Sequence, residues 1–162
     1  MSLSDFWTWL GGLPISTYIG ETWWFPLLES IHVLAATFLV GSILMVDLRL
    51  LGLAGRSHPV SRITREVVPW TRGAFALAGL AGLGMFITQP ARYMDNRAFQ
   101  VKLALLILAG INMAVFHLHT IRGVARWDTD EVTPAAARIA GGCSWFLWVA
   151  ILLAGRWIGH LL

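Results

Sequence analysis

The sequence predicts an all-α fold: an integral-membrane four-helix bundle preceded by a short interfacial helix. Three observations carry this expectation. Of 162 residues, 57% are apolar and 13% are charged, against roughly half and a quarter in soluble domains. Long charge-free runs recur along the chain. Aromatic usage is also skewed, with nine Trp and eight Phe but two Tyr, and bulky aromatics favour the boundary of a bilayer. The length suits one domain, taken as residues 1–162.

The charge-free runs define the spans. Between Glu21 and Asp47 only Glu29 interrupts 25 residues; 19 uncharged residues separate Arg72 from Arg92 and another 19 separate Lys102 from Arg122. A fourth run of 17 extends over 139–155. Crossing the hydrocarbon takes about 20 apolar residues. The expected helices are 24–53, 67–90, 99–122 and 136–160, joined by short connections that favour antiparallel neighbours. Pro59 breaks the first loop, Pro69 is expected in the opening turn of the second helix, and Pro90 ends it.

Residues 1–23 form the interfacial segment. Ser2 or Ser4 is positioned to cap a short helix carrying Phe6, Trp7, Trp9 and Leu10, which Gly11-Gly12-Leu13-Pro14 then breaks. Trp23 and Trp24 mark the headgroup level at the first span. The run carries no Lys or Arg, so it does not read as a secretory signal.

Basic residues give the orientation. Arg49, Arg56, Arg62, Arg65, Arg72, Arg122, Arg126 and Arg138 fall on one side, and Arg92, Arg97, Lys102 and Arg156 on the other. The positive-inside rule places the richer side in the cytoplasm and both termini in the periplasm. The net charge of +3 is spread along the chain and points away from nucleic acid. A single cysteine, Cys143, excludes an internal disulfide and a multi-thiolate zinc site within one chain.

Ionisable groups inside a membrane are expensive and seldom idle, so they nominate the functional residues. On the first helix Glu29 and Asp47 are separated by about five whole turns and share a face, with His32 about 60° away. This stripe is expected to point into the bundle. Glu29-x-x-His32 has the spacing of half a di-iron carboxylate site, although no second copy occurs. His117 and His119 on the third helix point about 160° apart and do not serve one site. His32, His117 and His119 are the candidate haem or metal ligands, with Glu29 a further candidate for metal. Arg72, Lys102 and Arg156 are candidates to neutralise an anionic group of a cofactor. Arg49 and Arg72 are further expected to pair with Asp47.

Depth separates the histidines. With outer ends near Trp24 and Phe99, His32 lies about 12 Å in and His117 about 27 Å in, which disfavours them as two axial ligands of one haem. At the inner level His117 or His119 meets Met45 and Cys143, a set suited to copper(I).

The run His32…Gly41…Asp47-Leu48-Arg49-Leu50-Leu51-Gly52, then Pro69-Trp70, Phe99-x-x-Lys102, Asn112 and Phe116-His117, resembles an uncharacterised family of small bacterial four-helix inner-membrane proteins. That family is distantly similar to the membrane domains of copper-resistance D proteins and to b561-type cytochromes. The resemblance implies a multi-pass protein of the bacterial inner membrane. The copper-resistance D pattern implies roles for His32 and Lys102. The b561 pattern implies paired histidines on facing helices, from which this sequence departs at the depth mismatch.

Three functions follow as expectations. The first is a haem b protein that passes electrons, with quinone or a redox protein as partner. The second is a copper-handling membrane protein. The third is an accessory subunit of a larger membrane complex, in which the histidines only stabilise the bundle. No phosphate-binding glycine loop, nucleophile with its base, or zinc motif suggests a soluble-enzyme chemistry.

Overall fold

A computed structural model describes residues 2–55, 57–120, 123–124, 127–128 and 133–161. Every regular element among them is helical. The order is α1 (Leu3–Gly11), α2 (Pro14–Glu21), α3 (Trp24–Leu50), α4 (Val60–Phe86), α5 (Pro90–Asp95), α6 (Arg97–Val115), a π-helical turn (Phe116–Thr120) and α7 (Ala135–Leu161).

Local chemistry sets these boundaries. Ser2 caps α1 through a capping box with Asp5. Pro14 then opens α2 at its first turn, where a missing N–H costs nothing. This second short helix was not expected from the sequence, because the Gly-Gly-Leu-Pro break reads as an end as readily as a restart. Asn96 caps α6, its side chain accepting the Phe99 amide at 3.1 Å while its amide donates to the Ile158 carbonyl at 3.2 Å. It thereby fastens the start of α6 to the end of α7.

The second long helix departs from the expected 67–90. It begins at Val60, directly after Pro59, and Pro69 lies inside it. Its first half carries Arg62, Arg65, Glu66 and Arg72, so its uncharged helical part is 73–86, about 21 Å long. Three helices among the described residues are long and apolar enough to cross a membrane: Trp24–Leu50, Arg97–Thr120 and Ala135–His160. They make this a multi-pass membrane protein suited to a lipid environment. Leu34, Phe38, Ile107, Ile111, Phe146 and Leu153 are all exposed on them, as lipid-facing side chains require.

The long helices pack in the order α4–α3–α7–α6. Helices α4 and α6 do not pack along their lengths; they meet where Phe86 stacks on Phe99, ring centroids 5.6 Å apart. Trp7 and Tyr93 join that stack. At the opposite, Leu50 end a tight core forms from Leu50, Val60, Phe116, Trp127 and Ala137. Gly141 makes this approach possible, since a Cβ there would stand 3.0 Å from Leu50 Cβ and 3.3 Å from the Asp47 carbonyl oxygen.

Candidate functional site: a histidine and a lysine at the Trp24 end

Two ionisable side chains toward the Trp24 end each rest against a neighbouring helix. From α3, the His32 ring lies against α4, where a Cβ on Gly82 would stand 3.2 Å from its Cε1. Its Nδ1 hydrogen-bonds the Ala78 carbonyl oxygen at 2.7 Å. A carbonyl only accepts, so Nδ1 bears the hydrogen, and in the neutral ring Nε2 keeps an unshared pair. Ligating histidines are commonly arranged in this way, with the far nitrogen fixed by a carbonyl.

From α6, half-buried Lys102 lies over α7, its Nζ 3.4 Å from where a Cβ on Gly155 would be. It is within electrostatic reach of His32. Among the described residues Lys102 makes no ion pair. A cation and an imidazole with a free nitrogen therefore lie within electrostatic reach of one another toward the Trp24 end.

Other expected site residues lie elsewhere. Glu29 is exposed, so the stripe it shares with buried Asp47 does not point inward along its whole length. The reason is a change in the set of neighbours: the Trp24 end of α3 packs on α4, with Leu28 against Gly84, and toward the Leu50 end α7 joins α4, which Ser42 still reaches through Thr71 at 2.9 Å. Glu29 instead lies near Tyr93, whose hydroxyl is raised above the ordinary tyrosine range by burial and then by the Glu29 charge, against the opposing effect of Arg92.

His117 belongs to the π-helical turn, where its Nδ1–H donates to the Met113 carbonyl at 3.0 Å, and His119 is exposed. The ring inserts a side-chain bond into the helix ladder, which is one cause of such irregular turns. The wider turn also removes the regular phase on which the 160° separation of the two histidines rested. Helices α3 and α6 run in the same direction without packing on each other, and His32 and His117 sit near opposite ends. The structure does not bring them together.

Arg72 and Arg156 are exposed and form no ion pair among the described residues. Met45 and Cys143 are exposed too. No three His, Cys, Asp or Glu side chains gather as an ion site among the described residues.

Arg49 is a correction. Rather than pairing with Asp47, it is 1% exposed and donates to the carbonyls of His58 (3.0 Å) and Asp128 (3.3 Å) and to the Thr133 hydroxyl (3.2 Å). Arg72, exposed, does not pair with Asp47 either. The guanidinium therefore ties the two loops at the Leu50 end to α3. Sequence reasoning counted it as a loop charge; its position two residues after Asp47, still within an apolar helical run, was the available signal.

A family profile covers residues 6–161 and so runs from within α1 to the end of α7. The chain belongs to DUF6644, a family of unknown function. No curated protein and no solved structure matches this DUF6644 chain.

Proposed function

We propose that this protein is an integral-membrane haem b protein in which all four long helices cross the bilayer as a bundle, and that it exchanges electrons with a membrane quinone or a redox protein. The observation that carries the reading is the His32 ring, held by Ala78 so that Nε2 is left with a free pair in the membrane interior. One imidazole is enough to hold haem iron, as proximal histidines do. Bound there, the haem supplies one-electron transfer.

The chain's own residues have distinct tasks in this reading. His32 fixes the position of the ligand nitrogen, and Gly82 lets the ring lie close to α4. Lys102 would neutralise a propionate of the bound group. Phe86, Phe99, Trp7 and Tyr93 keep water from the Trp24 end. In the membrane, the Arg49 end faces the cytoplasm and the Trp24 end the periplasm, following the distribution of basic residues. The membrane in this reading is a bacterial inner membrane.

The deciding experiment is an absorption spectrum of the detergent-purified chain, with a pyridine haemochrome assay and elemental analysis. A Soret band that His32→Ala abolishes supports the proposal. Copper without haem would favour the metal-handling reading, and neither would leave an accessory subunit.

A further inference from the structure

A second polar feature lies at the other end of the assembly. Asp47, on the last turn but one of α3, is 4% exposed, and its Oδ2 has no hydrogen-bond partner among the described residues. That carboxyl lines a cavity of about 70 Å³ between α3 and α7, walled by Ile43, Leu44, Trp145, Trp148 and Val149. The volume accommodates about two water molecules. From α7 the carboxyl is faced by the Ser144 hydroxyl and by the two indoles, none of which carries a charge.

No nearby cation compensates it. Arg49 on the same helix is committed to His58, Asp128 and Thr133. Arg72 on α4 and Arg138 on α7 are exposed and make no ion pair among the described residues. A buried carboxyl with a free oxygen needs a partner, because leaving a polar group unpaired in a low-dielectric interior is costly. The partner that fits this cavity is water, and through water a proton.

We propose that Asp47 is a proton-exchange site, reached through water in the α3–α7 cavity. A hydronium arriving there gives its proton to Oδ2; an O–H bond forms at the carboxyl and a neutral water remains. The reverse step returns the proton to water, with no change of oxidation state.

Infrared spectroscopy of the full chain in liposomes tests this, comparing wild type with Asp47→Asn from about pH 5 to about pH 8 in H2O and D2O. The expected result is a protonated-carboxyl band that titrates, shifts in D2O and is missing from the variant. A band assigned to Asp47 that neither titrates nor shifts, or spectra identical in the two proteins, overturns the proposal. If Asp47→Asn does not fold, Ser144→Ala keeps the carboxyl and removes the hydroxyl beside it. A displaced titration midpoint is then expected, and an unmoved one overturns the assignment.

Discussion

His32 Nδ1 and the carbonyl oxygen of Ala78 are 2.7 Å apart across the α3–α4 interface. That bond, together with the ring's contact at Gly82, fixes both the plane of the imidazole and the nitrogen left free. Replacing Gly82 by Val puts branched carbon where the Cβ alone would already be 3.2 Å from Cε1. The ring cannot retreat without lengthening its bond to Ala78. Gly82→Val is therefore expected to broaden or abolish the Soret band proposed for wild type and to cost about 1–3 kcal/mol of stability. An unchanged spectrum would show that ring placement does not matter.

Lys102 gives a test of opposite sign. A cation in an apolar span, without an acid beside it, pays for desolvation. Lys102→Met keeps the stem that lies over Gly155 and removes the charge. The cofactor-free protein should gain on the order of 1 kcal/mol, read as a higher unfolding midpoint in detergent. Haem retention during dilution should fall. A midpoint that drops would mean that the ammonium has a stabilising partner.

Arg49 is expected to be the most sensitive side chain at the Leu50 end. Arg49→Ala leaves the His58 and Asp128 carbonyls and the Thr133 hydroxyl short of a donor and opens a void. The loss should be about 3–5 kcal/mol, and limited proteolysis should then cut the 51–59 loop. Lys offers one point donor in place of a fork and is expected to recover only a minor part.

Asp128 links that loop closure to pH. Its carboxylate accepts the Ser61 amide at 2.7 Å and the Ser61 hydroxyl. Partial burial pushes its carboxyl up, but bonds from the Ser61 side chain and from the Ser61 and Val60 amides, with the Arg49 charge, hold it below the ordinary aspartate range. The folded state therefore prefers the ionised form. The stabilisation is present above the unfolded aspartate value, about pH 4, and is lost as pH falls through the lower folded value. Proteolytic protection of the loop should weaken in acid in wild type and show a flatter profile in Asp128→Asn.

Much of the architecture was legible from residue types. Charge-free runs located α3, α6 and α7, because only long apolar segments tolerate hydrocarbon, and Ser2 announced α1 through its capping geometry. The start of α4 was not legible. Its first two turns are polar, and Pro69 reads as a beginning when the preceding residues lack an apolar run. His32 and Lys102 were nominated as rare ionisable groups within apolar spans, but nothing in the spacing indicated that Ala78 and Gly155 would receive them.

Composition and patterning by themselves determined that the chain is helical, that several helices suit lipid, and which few polar side chains are costly enough to need a purpose. Only tertiary packing decided where those side chains go. Glu29 and Asp47 occupy one azimuth of α3, yet one is exposed and the other buried, because the helix changes neighbours along its length. Arg49 illustrates the same point: its donors are satisfied by oxygens of Asp128 and Thr133 from far along the chain, and no local pattern encodes a partner that only folding brings near.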